Sequence, residues 1–218
     1  VIAYNTKAFT EGNEPRSWKD FWNVKDFPGP RSLYSGLHYN YEAALLAADV
    51  EKKEVYPATE EKVKLAFAKL EEIKPHVAVW WSAGAQPPQL LSTGEVAMAM
   101  AWSGRIADAM NEGAPVAMTF KDAIAWGNAY VVPKGASHRD TVMELISYCI
   151  SLPAQEALLP IATYGPVLEA AAAKATPEQS RNIVTHPDNI KDAVIQNDKE
   201  VAAYMAKYDR KWQQFQLG

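Results

Sequence analysis

The sequence predicts an α/β fold, with a parallel or mostly parallel sheet carrying helices on its faces. Three observations carry this reading. From residue 1 to about 120, short apolar runs alternate with stretches of helical spacing. The runs "HVAVWW", "EVAMAMAW" and "PVAMTF" have strand length and are separated by helix-like segments. After "NAYVVP" the character changes, and from His138 to Gly218 almost every stretch reads as helix.

Taken in order, "VIAYN" and "RSLY" read as short strands. Between them "SWKDFWN" offers Ser17 as an N-cap with Asp20 three residues on, an acidic variant of the capping box. "NYEAALLAAD" is a short amphipathic or buried helix. "ATEEKVKLAFAKLEEIK" is the clearest helix: Val63, Phe67 and Leu70 share one face, Thr59 caps it, and Lys74 before Pro75 ends it. Strand "HVAVWW" leads into the loop "SAGAQ" and a helical turn "PPQLLSTG". Strand "EVAMAMAW" leads into helix "SGRIADAMNEG", closed by Gly113, and then strand "PVAMTF". The later helices are "HRDTVMELISYCIS", "PAQEALL", "LEAAAAKA", "PEQSRNIV" and "DAVIQNDKEVAAYMAKYDRKWQQFQ". There is no repeat and no low-complexity linker, so the boundary near residues 121–130 is a change of architecture without a flexible tether.

Composition narrows the function classes. The 218 residues suffice for one large or two small domains with a sizeable core. A net charge of -4, with basic residues scattered and the one dense group "KYDRK" mixed in sign, argues against a nucleic-acid partner. No run of about 18 apolar residues exists to span a membrane. Cys149 is the single cysteine, so there is no internal disulfide. The start at Val1, in what reads as a strand already under way, suggests a mature fragment and carries no secretory signal.

Catalytic and metal motifs are absent. His38, His76, His138 and His186 show no metal spacing, and His38 with Glu42 four residues on reads as a solvated polar pair. Cys149 sits among Leu145, Ile146 and Ile150 and reads as a buried structural thiol. No G-x-S-x-G, P-loop or G-x-G-x-x-G occurs, no carboxylate pair stands out, and no cofactor is implied.

What stands out is a pair of tryptophans. "AMAWSGR" and "AIAWGNAYVVP" place Trp102 and Trp126 at strand ends, each followed by small and polar residues. In open α/β sheets ligands bind outside the carboxyl ends of the strands. Ser103 and Gly104 open a helix whose first N–H groups are free, and Arg105 adds a cation able to grip a carboxylate or to point into solvent. Ser82 opens the "SAGAQ" loop in the same strand–small residue–helix pattern. The indoles are either walls of a cleft, stacking on a ligand or holding an amine, or ordinary packing. Trp18, Trp22, Trp80 and Trp81 read as core or surface packing.

The blocks "PRSWKDFWNVKDFPGPRSL", "YEAALLA", "GEVAMAMAWSGR", "AIAWGNAYVVPKGASH" and "ISLPAQEALLPIATYGPV" together resemble the bacterial extracellular solute-binding proteins of the spermidine/putrescine type, which feed ABC transporters. The resemblance implies a type II periplasmic-binding-protein fold, two α/β lobes closing on a ligand. It implies that residues 1–122 form most of the second lobe, 123–130 recross between lobes, and 131–218 form a mostly helical part of the first. It further implies a periplasmic or extracellular location, a small amine or amino-acid ligand, and a membrane permease as partner. Trp102 and Trp126 match ligand-facing tryptophans, Glu42 a glutamate that faces amines, and Tyr164 an aromatic near the cleft. Asn128 stands where polyamine binders have an aspartate. The lost anion and the added Arg105 favour a γ-aminobutyrate-like ligand over a polyamine. Relatives run longer, so the reading expects either a second polypeptide completing the first lobe or a cut chain, with apolar faces near Ile146 and Cys149 left uncovered. The competing class is an enzyme or a sensory domain on the same fold.

Overall fold

The computed structural model describes residues 1–217. Its centre is a five-stranded sheet of β1 (Ile2–Asn5), β2 (Arg31–Tyr34), β3 (Val77–Trp81), β4 (Met98–Met100) and β5 (Val116–Thr119), ordered β3-β2-β4-β1-β5. β2 pairs in parallel with β3 and β4, while β1 runs antiparallel to both β4 and β5. Four strands therefore share a direction and the first is reversed, a mixed sheet rather than the wholly parallel one that βαβ alternation allows.

The run "EVAMAMAW" shows how the sheet is covered on both faces. Alternate strand residues point to opposite sides. Met98 and Met100, with Ile2, enter one core beneath α1 (Trp18–Trp22), α2 (Leu37–Ala47) and α3 (Glu60–Ile73). Ala99 and Ala101, with Ala3, enter a second core that holds Leu91 of α4 (Gln86–Thr93) and Ile106 of α5 (Ser103–Asn111). The capping expectations are met: Ser17 Oγ accepts from the Asp20 N–H, and Thr59 Oγ1 from the Lys62 N–H. The α3 helix ends at Ile73, and Gly113 follows α5 with φ +82°.

Beyond β5 the chain runs through a short strand β6 (Ile124–Ala125), then α6 (Arg139–Cys149), α7 (Leu152–Leu158), α8 (Glu169–Ala172), α9 (Pro177–Ser180) and α10 (Pro187–Ile190). It returns by β7 (Val194–Ile195), which pairs in parallel with β6, and ends in α11 (Asp198–Leu217). The sequence reading missed β7 and ran helix through it. Two residues leave too little periodicity to register.

Residues 131–218 were expected to lie together in the other lobe. Instead α11 packs back on the body made by residues 1–122. Trp212 and Phe215 stack at 5.1 Å and meet Phe67 and Trp80, while Tyr204 lies 4.7 Å from the Tyr41 ring. The apolar face of α11 is satisfied there, not against α6. The α6 helix has no buried residue, and Met143, Leu145, Tyr148 and Ile150 are exposed. Cys149, expected to be buried, is only partly so. No helix among the described residues is long and apolar enough to cross a membrane.

Candidate functional site

Because β2, β3 and β4 are parallel neighbours, their carboxyl ends lie along one edge of the sheet. β2 and β3 end in Tyr34 and Trp81, and Trp102 follows the end of β4 by two residues. Trp102 meets Trp81 edge to face at 5.3 Å and 88°. Trp81 meets Tyr34 at 4.8 Å, Tyr34 meets Tyr39 at 5.3 Å, and Tyr39 meets Trp126 at 6.2 Å and 30°. The two tryptophans singled out from the sequence are thus the ends of one continuous aromatic row. Trp126 is 42% exposed and Trp102 half-buried, whereas Trp81 between them is fully buried.

Local backbone explains how the row is held. The Ser35 N–H donates to Trp81 O at 2.8 Å. Asn40, fully buried, donates through Nδ2 to Tyr34 O at 2.6 Å and Gly36 O at 2.7 Å. Between these anchors His38 and Tyr39 leave helical geometry, and Tyr39 takes φ +68°, a conformation uncommon for a bulky residue. Such local strain clusters at ligand sites. On the next loop Gln86 Oε1 accepts from the Ser82 and Ala83 N–H groups at 2.9 Å each. Gly84 lies flat under Trp102: a Cβ there would stand 2.6 Å from the ring's Cζ3.

The buried polar atoms of the row are underpaired. The Trp81 Nε1, Trp102 Nε1 and His38 Nδ1 atoms are shielded from solvent without an aligned hydrogen bond, although Trp102 neighbours the Tyr39 hydroxyl. Burial lowers the His38 pKa, so the ring is not the solvated imidazole expected from the sequence. Burial raises the Tyr39 pKa. Trp102 is the N-cap of α5, yet no side chain caps that helix, and Arg105 is exposed on its first turn. Ser82 and Asn128 are exposed as well, and Tyr164 lies over Gly104 of α5 with about half its surface open.

Glu42 is placed differently from expectation. It is fully buried on α2, where its Oε1 accepts from Tyr56 Oη at 2.5 Å, Tyr204 Oη at 2.9 Å and Gln196 Nε2 at 3.1 Å. Oε2 has no partner, and burial raises the carboxyl pKa despite the three donors. It ties α2 to β7 and α11 instead of lining open surface. Among the described residues no group of histidine, cysteine and carboxylate side chains could hold a metal.

Tyr34 and Tyr39 belong to the row and were not singled out from the sequence, Trp81 was read there as packing, and His38, read as a solvated polar residue, sits beside Tyr34 and Tyr39. The signal for Tyr34 was present: it ends strand "RSLY" just as Trp102 ends the run "EVAMAMAW".

The family model described as bacterial extracellular solute-binding protein matches residues 1–185. The γ-aminobutyric acid-binding protein of Pseudomonas aeruginosa is 37% identical over 195 residues, covering 88% of this chain and 54% of that protein. An ABC transporter substrate-binding protein from Bradyrhizobium japonicum superposes with a TM-score of 0.87 at 34% identity, over 99% of this chain and 66% of its own. A GABA receptor structure gives a TM-score of 0.83 at 29% identity, over 99% of this chain and 65% of its own. The spermidine/putrescine-binding protein of Streptococcus pneumoniae, at 13% identity, shares the fold alone, with a TM-score of 0.72. The chain spans a little over half to two thirds of the length of these relatives.

Proposed function

We propose that this chain, which belongs to the bacterial extracellular solute-binding protein family, forms part of the solute-capturing component of an ABC importer. It works outside the cytoplasmic membrane, hands its ligand to a membrane permease, and performs no chemistry. The observation that carries this reading is the aromatic row from Trp102 to Trp126, set at the carboxyl edge of the parallel strands and open at both ends.

The ligand we infer is a small solute with one amine and one carboxylate, γ-aminobutyrate or a close analogue. An indole face holds an ammonium by cation–π attraction worth about 2 kcal/mol when desolvated. The carboxylate end falls to Arg105 and the uncapped first turn of α5. The likeness to a γ-aminobutyrate-binding protein at 37% identity supports this choice. A polyamine fits less well. Glu42 is fully buried with its Oε1 held by Tyr56, Gln196 and Tyr204, Asn128 supplies no anion, and Arg105 repels a second ammonium.

We further infer a two-lobed arrangement in which β6 and β7 are the two crossings and the exposed face of α6 meets the remainder of the other lobe. Whether that remainder is continuous with this chain or a second polypeptide is read from the mass of the intact protein. The ligand assignment is tested by titrating Arg105→Ala with γ-aminobutyrate and with putrescine. The expected result is a loss of about tenfold or more for γ-aminobutyrate, equivalent to about 1.4 kcal/mol, with putrescine unchanged or improved. The reverse ranking removes the amino-acid reading.

A further inference from the structure

We propose that Gly104 is a positioning residue of the cleft: its bare backbone is the seat on which the Tyr164 ring lies, fixing that ring as a wall against the first turn of α5. The inference rests on the ligand site proposed above and adds a residue whose own side chain touches nothing.

The geometry is specific. A Cβ built on Gly104 would stand 2.5 Å from Tyr164 Cε2 and 2.8 Å from Cε1, closer than real Cβ contacts come, and it would meet Cζ as well. The ring therefore lies directly over the position where any other residue would begin its side chain. Gly104 is buried beneath it. Tyr164 arrives from the segment between β6 and β7, sixty residues further along, so the contact joins that segment to the sheet-bearing body. At the next residue, Gly165, the Thr185 side chain packs too closely for a Cβ. The ring lies over Gly104, the residue before Arg105 in the first turn of α5, and so beside the proposed carboxylate end.

Backbone conformation does not demand glycine at 104. The residue lies within the helical range of α5, and its φ is not among the positive glycine values, unlike Gly94 or Gly113. Within a helix alanine is favoured over glycine. The glycine costs helix stability, and the ring above it is the feature that requires it. An alanine there displaces the end of a half-exposed tyrosine, which moves without disturbing the core. The substitution thus sets helix preference against the seating of the ring.

The experiment uses the intact protein as wild type, Gly104→Ala, Tyr164→Ala and the double variant. Each is measured for thermal midpoint without ligand and for γ-aminobutyrate affinity by calorimetry. The proposal predicts that Gly104→Ala weakens binding about tenfold or more when Tyr164 is present, and has no effect on binding when Tyr164 is already alanine. In the Tyr164→Ala background it raises the midpoint by about 1–4 °C through helix preference, and in the Tyr164 background that gain is smaller or absent. Equal affinity losses in both backgrounds, or none in either, overturn the proposal. If the wild type takes no γ-aminobutyrate, the ligand assignment fails and the thermal cycle alone decides the seat: non-additive midpoints sustain it and additive midpoints overturn it.

Discussion

Glu42 shows how far a single residue can be read from its neighbours in sequence. The resemblance placed it facing an amine, and the spacing from His38 gave it a solvated partner. The structure buries it on α2, where every residue from Tyr39 to Ala47 is buried, so helical spacing could not reveal which side was wet. Three donors converge on Oε1, and the partners come from Tyr56, Gln196 and Tyr204, far apart in the chain. No local pattern announces such a cluster. Its pH behaviour follows from burial. The folded pKa is raised above the ordinary 4.5, so the folded state binds a proton that the unfolded state releases over the window above 4.5. Stability from this group is therefore fully present below 4.5 and is lost as pH rises through the folded value. Glu42→Gln removes that titration. Urea unfolding across pH should show the variant gaining on wild type as pH rises through this window. A stability difference that does not vary with pH would remove the buried-acid account. By contrast, the place of Trp102 and Trp126 beside strand ends was legible, because a large aromatic there followed by Ser-Gly or Gly-Asn is a local signal, while their part in ligand binding is the proposal tested below.

At the scale of elements, strands and helices were read from periodicity wherever one face was wet. The α3 helix, with its Thr59 cap and Ile73 end, shows this best. Reversal of β1 was invisible, because strand direction is set by which neighbour the chain finds and not by side-chain alternation. The kink at the start of α2 was equally hidden. There Tyr39 sits at positive φ because Asn40 spans two carbonyls and the Ser35 carbonyl is held by Trp212 Nε1 at 2.8 Å and Gln216 Nε2 at 3.0 Å. The last helix in the chain thus braces the first loop of the candidate site, a relation that no window of sequence contains. Asn40→Ala leaves the Tyr34 and Gly36 carbonyls without that donor, at a cost of about 1–3 kcal/mol. Denaturant unfolding measures it. A loss below about 0.5 kcal/mol, the range of an ordinary surface substitution, would mean that the kink does not depend on Asn40.

For the whole molecule, the body is residues 1–122 with α11, and the segment between β6 and β7 is an excursion that leaves and returns at one place. Lys52 marks that place, pairing with Asp122 at 2.9 Å just before β6 and lying 3.7 Å from Asp192 just before β7. We propose that these two crossings are the hinge about which lobes close, in which case Lys52→Met should alter ligand affinity more than thermal midpoint. An equal proportional effect on both would make the pairing merely structural. In a two-state closure the ligand shifts the population only by its preference for the closed form. The aromatic row is where that preference would arise, since it runs from the sheet edge to the residue that follows β6. The most direct measurement is calorimetric titration of γ-aminobutyrate into the intact protein and into the Trp102→Ala/Trp126→Ala double variant. The account predicts saturable one-to-one binding to wild type and a loss of well over about tenfold, or about 1.4 kcal/mol, in the double variant, with its thermal midpoint retained. Undiminished binding with both indoles gone would contradict it.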